Sequence, residues 1–242
     1  MKIARLFAPC VLVLAACSST STPGTTGGGG EQDKGIDGTG DTAAAGAPDK
    51  NPEGIAYPSE NIGTNPRQGD RPGNKMTNYK FLAYPNGDMS QGLQPFSMAS
   101  LFDPSGTKYK LIHLQASGTW CVYCQEETKV VTPLRQKLEE RKVAWVISLA
   151  EGPTPGTAST VKDLDKWMAQ FKAPFTHLLD SGNKNFGPFY DAAALPWNAN
   201  IDARTMEILS SAVGATTKDT AILADLDKWI AQIDSGAIPA PK

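Results

Sequence analysis

This 242-residue sequence predicts an α/β fold, a central mixed β-sheet flanked by helices on both faces. Three observations predict it. Strand-like apolar runs alternate with helical periodicity in the order β–α–β–α–β. The run from Val143 to Leu149 is continuously apolar, which suits a strand buried on both faces under crossover helices. The C-terminal part reads instead as two strands joined by a short turn and closed by one helix, which adds an antiparallel pair to a parallel core.

Composition divides the chain before any element is drawn. Residues 1–16 read as a targeting segment, with Lys2 and Arg5 ahead of an apolar stretch from Leu6 to Leu14 that is too short to span a bilayer. Leu14-Ala15-Ala16-Cys17 resembles the bacterial lipobox, which makes Cys17 the lipidated residue and the mature N-terminus. Ser18 follows, not Asp, so in a Gram-negative source the expected place is the outer membrane, facing the periplasm. Residues 17–77 are rich in Gly, Ser, Thr and Pro and cannot bury enough surface to offset their ordering entropy; they are expected to be a disordered tether of roughly 40 Å. Residues 78–242 carry nearly all the aromatic residues and form the expected folded domain. The net charge of −2 speaks against nucleic acid as a partner.

Within the domain, Tyr79 to Tyr84 has strand character and Pro85-Asn86-Gly87-Asp88 turns the chain. Phe96 to Phe102 fits a short helix or an irregular turn, and Lys108 to Gln115 a strand. Cys124 to Arg141 is helical, with Val130, Val131, Leu134 and Leu138 at spacings of three and four and a break expected near Thr132, ahead of Pro133. After the buried strand and a Pro/Gly loop, Ser159 or Thr160 caps a helix that runs to about Lys172 with Leu164, Trp167, Met168 and Phe171 on one face. Phe175 to Leu179 is a strand, Lys184 to Ala194 a short helix or loop, Trp197 to Ile201 and Met206 to Val213 a hairpin, and Thr217 to Ile233 the last helix.

The chemistry concentrates in Gly118-Thr119-Trp120-Cys121-Val122-Tyr123-Cys124. A strand delivers two cysteines to the start of a helix, where backbone N–H groups and the macrodipole favour a thiolate. With Cys10 in the targeting segment and Cys17 taken by lipid, Cys121 and Cys124 are the remaining thiols. A purely structural disulfide at this spacing closes so small a loop that chain entropy supplies only about 2 kcal/mol. A zinc site lacks ligands, because His113 and His177 read as packed strand residues. No metal and no organic cofactor are expected.

The Trp120-Cys121-x-x-Cys124 element after a strand, with Leu195-Pro196 before a strand ending at Ile201-Asp202, resembles the thioredoxin fold, and within it the membrane-anchored thiol–disulfide oxidoreductases of the TlpA/ResA type, over about residues 80 to 235. The resemblance implies that Cys121 is the attacking thiol and Cys124 the more buried resolving one. It implies that Trp120 shields the pair and that a cis Leu195–Pro196 loop faces it and offers backbone to an extended substrate. It also implies exported protein thiols and disulfides as partners, together with a partner redox protein and a monomeric chain. Departures stand beside it. Gln115 occupies the place of a buried acid six residues before Cys121, Val122-Tyr123 replaces the usual proline-containing pair, and Pro133 lies further along the helix. Glu126 and Glu127 are expected on the solvated first turn of the helix. The Pro-x-x-x-Thr/Ser-x-x-Cys arrangement of thiol peroxidases is not present. Gln115 also keeps open a binding or scaffold module with little turnover.

Overall fold

In the computed structural model seven strands lie in one mixed sheet. The described residues are 44–58, 72–190 and 194–239, all within a unit running from 36 to 242. The expected targeting segment 1–16 and Cys17 lie outside them. The strands are β1 (Lys80–Tyr84), β2 (Gln94–Ser97), β3 (Leu111–Gly118), β4 (Val143–Glu151), β5 (Thr176–Leu179), β6 (Trp197–Asp202) and β7 (Ile208–Val213), in the spatial order β2-β1-β5-β4-β3-β6-β7. β3, β4 and β5 run parallel, and β1, β2, β6 and β7 extend the two edges in antiparallel pairs. Every residue of β3 and β4 is buried, so both faces of the central strands are covered.

Among the described residues four α-helices supply the cover: α1 (Val122–Val131), α2 (Arg135–Glu140), α3 (Val161–Phe171) and α4 (Asp219–Asp234). α1 and α4 touch each other, and α4 also rests on β3 and β6. The break expected at Pro133 is a single 3-10 turn, Thr132–Leu134, between α1 and α2. It arises because proline cannot donate to the helical ladder. Thr160 caps α3 in a reciprocal box, its hydroxyl accepting from Asp163 N–H at 3.2 Å while Thr160 N–H donates to Asp163 Oδ2 at 3.0 Å.

Two features depart from expectation. β2 occupies part of the stretch read as a short helix or turn; it is an edge strand, where Pro95 costs no inner ladder bond. Parts of the expected tether are packed. Residues 44–58 and 72–77 lie against the domain, with Met76 fully buried, Asn51 donating to Phe102 O at 3.1 Å, and Tyr57 hydroxyl donating to Met76 O at 2.6 Å. Gly73 and Met76 bond backbone to backbone with Ile208 and Met206. The scattered apolar side chains in this stretch find neighbours on the sheet that local composition does not reveal. Among the described residues no helix is long and apolar enough to cross a membrane.

Candidate functional site

The site is assembled where β3 ends and α1 begins. The β3–β4 register shifts between Ser117 and Gly118, and the chain turns there with Cys121 N–H bonded to Gly118 O at 3.1 Å. Cys121 is the N-cap of α1: its backbone is extended and its Sγ accepts from Cys124 N–H at 3.1 Å. A disulfide joins Cys121 to Cys124, with Cα atoms 5.3 Å apart. Cys121 was expected to be the more exposed sulfur. It is 2% exposed against 0% for Cys124, while Val122 and Tyr123 between them are 63% and 68% exposed. The helix start turns its first two side chains outward and its sulfurs inward.

Two of the residues expected beside the pair, Trp120 and Leu195, meet at Gly118, three positions before Cys121. A Cβ at Gly118 would meet Trp120 Nε1 at 2.9 Å, Leu195 Cδ1 at 3.2 Å and Glu151 Cβ at 3.3 Å. Trp120 Nε1 donates to Glu151 Oε2 at 2.6 Å, and the same oxygen accepts from Gly156 N–H at 3.0 Å, so the indole is fixed from behind. The Leu195–Pro196 bond is cis, and Pro196 O accepts from Gly214 N–H at 2.9 Å. Gln115 lies behind Cys124, fully buried. Its Nε2 reaches Cys124 O at 3.2 Å and Thr128 Oγ1 at 3.1 Å, and its Oε1 accepts from Trp145 Nε1 at 3.2 Å.

Glu127 overturns an expectation. It is not part of a solvated first turn but 1% exposed, on the α1 face that also buries Cys124, Thr128 and Val131. Its carboxylate accepts from Thr216 N–H at 2.7 Å and from the Asn198 amide at 3.0 and 3.2 Å. Burial pushes the Glu127 carboxyl up to about 7, against the smaller downward pull of the Thr216 and Asn198 donors. Residues three apart on a helix are neighbours, so a carboxyl that titrates near neutrality stands one turn from Cys124. The signal was present in the sequence. Positions 124, 127, 128 and 131 share one helical face, and the periodicity that places Val131 inside places Glu127 there too.

His113 packs as expected, on the face of β3 beneath α1 and α4, stacked on Trp145 with ring centroids 3.8 Å apart. Among the described residues no group of three or more His, Cys, Asp or Glu side chains converges as a metal site would require.

No family model matches the sequence, and no curated protein matches it. Solved structures do resemble it in fold. A candidate protein disulfide isomerase from Bacteroides thetaiotaomicron superposes with a TM-score of 0.52 at 13% identity, covering 69% of this chain and 95% of that one. Enterococcus faecalis AhpC gives 0.53 at 12% identity, covering 72% and 100%. The reduced 2-Cys peroxiredoxin of Plasmodium vivax gives 0.53 at 16% identity, covering 69% and 86%. The fold is thioredoxin-like.

Proposed function

We propose that the protein is an extracytoplasmic thiol–disulfide oxidoreductase, anchored by lipid on Cys17, which exchanges disulfides with exported proteins through Cys121 and Cys124. One observation carries the reading: the disulfide caps a helix, and a buried carboxyl of near-neutral pKa lies one turn beyond it. A structural crosslink needs no such proton acceptor.

In the reducing direction the Cys121 thiolate, stabilised by the start of α1, attacks a substrate disulfide. A Cys121–substrate disulfide forms and the other substrate sulfur leaves as a thiolate. Cys124 then gives its proton to the Glu127 carboxylate and attacks Cys121 Sγ, forming the Cys121–Cys124 disulfide and releasing the second substrate thiolate. Two electrons pass from the protein dithiol to the substrate, and a partner dithiol restores them. The oxidising direction is the reverse. Trp120 and the cis Leu195–Pro196 segment flank the entry, and exposed Val122 and Tyr123 give an apolar patch for an unfolded chain to lie against. The Plasmodium vivax structural neighbour is a peroxiredoxin by name, but Leu114 and Gly118 stand where a thiol peroxidase needs Pro and Thr or Ser. Gln115 is the feature that keeps open a module with little turnover, and Glu127 provides the carboxyl that Gln115 does not.

The test is reduction of insulin disulfides by the chain with dithiothreitol as electron donor. Turnover that disappears in Cys121→Ala supports the reading, as does a Glu127→Gln variant that accumulates mixed disulfide and resolves it about 100-fold more slowly. Absence of turnover, or turnover indifferent to Cys121→Ala, ends it in favour of a binding module.

A further inference from the structure

Five side chains form one hydrogen-bonded line across the sheet beneath α1 and α4. The Asn198 amide donates to Glu127, and Asn198 Oδ1 faces His113 Nε2 at 3.2 Å. On the other side of the ring, His113 Nδ1 faces Asn200 Oδ1 at 2.8 Å, and the Asn200 amide donates to Asp225 Oδ2 at 2.7 Å. The neighbours of the two amides fix their orientation. Asn198 NH2 also donates to Gly214 O at 3.0 Å, so an inverted Asn198 would set its oxygen against that carbonyl and against the Glu127 carboxylate. Asn200 NH2 is held by the Asp225 carboxylate and by Ser210 Oγ at 3.0 Å. Both ring nitrogens of His113 therefore meet amide oxygens, which only accept. A neutral imidazole has one N–H and would aim a lone pair at one of them; an imidazolium satisfies both.

We propose that His113 sits as an imidazolium between the Glu127 and Asp225 carboxylates and acts as a positioning residue that keeps Glu127 ionised beside Cys124. The role toward Cys124 rests on the exchange reading above; the charge on the ring does not. A buried carboxylate with no cation nearby is costly, and a positive ring one amide away offsets that cost. The rest of the surroundings agree. Trp145 presents its face to the ring at 3.8 Å, an arrangement that attracts a cation, and the Trp145 indole is fixed by its bond to Gln115. A cavity of about 370 Å³ borders His113, Glu127 and Asp225 together and gives water a route to them. The charged groups around this cavity are Glu127 from α1 and Asp225 and Lys228 from α4; β4, β6 and β7 contribute Trp145, Asn198, Asn200 and Ser210, which carry no charge. Lys228 is turned over the Trp229 ring, its Nζ 4.7 Å from the centroid. Burial, the largest influence, holds the His113 imidazole below its ordinary value against the smaller upward pull of Asn200, Asn198 and Asp225, so the case for a charged ring rests on the two acceptor oxygens that face it. With Glu127 near 7, a cation at His113 decides the Glu127 charge at neutral pH.

The chain has only two histidines, so ¹⁵N-histidine NMR of the full chain resolves each ring. At pH 7 His113 is expected to show two N–H groups and His177 one. Asp225→Asn, at an exposed position, removes the counter-charge and is expected to move loss of the second His113 proton about one pH unit lower. In insulin reduction, His113→Asn and Asp225→Asn should both move the acid limb of the rate profile to higher pH, by about one unit for His113→Asn, or about tenfold in rate at a fixed pH on that limb. A single N–H on His113 at pH 7 overturns the proposal. Two N–H groups with an acid limb unmoved in both variants overturn the role toward Glu127. A doubly protonated ring in a chain that reduces no insulin overturns the exchange reading, and the positioning role with it, while the imidazolium stands.

Discussion

His177 illustrates what burial does to a side chain that has no task in the site. It is fully buried in β5, its Nδ1 2.8 Å from Phe175 O and its Nε2 without a partner. Desolvation depresses its pKa to about 4, against a small opposing effect of the Phe175 carbonyl. A base with a depressed folded pKa contributes stability that is complete above the unfolded value of 6.5 and is lost as pH falls from there through 4. The loss is about 3 kcal/mol, and urea unfolding at pH 7 and pH 4 measures it. In His177→Leu the drop between these two pH values should be smaller by about that amount. The packed role of His177 was legible from its place in an apolar strand. The role of Glu127 was less so, because two adjacent acids at a helix start read as a solvated turn until the half-buried partners Asn198 and Thr216, 71 and 89 residues away, are brought to one of them.

At the scale of elements, the strands and helices that carry the site follow from local pattern. β3, β4, β5, the β6–β7 hairpin and all four helices appear where alternation, apolar runs and Pro133 place them. The edge strand β2 does not announce itself, since four residues that include a proline show no periodicity and gain their structure from pairing with β1. The junction of β3 with α1 is the element that function depends on, and Gly118 is its tightest point. An alanine there has no room beside the Trp120 indole nitrogen at 2.9 Å and the Leu195 methyl at 3.2 Å. Gly118→Ala should cost about 1–3 kcal/mol in urea unfolding and should slow insulin reduction as well, because Gly118 O holds the Cys121 N–H at the start of α1.

At the scale of the whole molecule, the described residues form a thioredoxin-like domain whose packed body begins before the composition suggests. Asn51 bonds to Phe102, Met76 to Met206 and Gly73 to Ile208 of β7, contacts far apart in the chain that no window of sequence contains. The domain in turn holds the Cys121–Cys124 disulfide at a helix start, with Gln115 bonded to Cys124 O and Glu127 one turn further along α1. A crosslink that merely holds the helix start and a couple that trades electrons differ most in reduction potential. Equilibration of the Cys121–Cys124 pair against glutathione and dithiothreitol buffers measures it. An exchanging couple gives a value above about −300 mV, in the range of thioredoxin at about −270 mV to the strong oxidants near −120 mV, whereas a value below about −300 mV marks a structural disulfide and contradicts disulfide exchange as the function of this site.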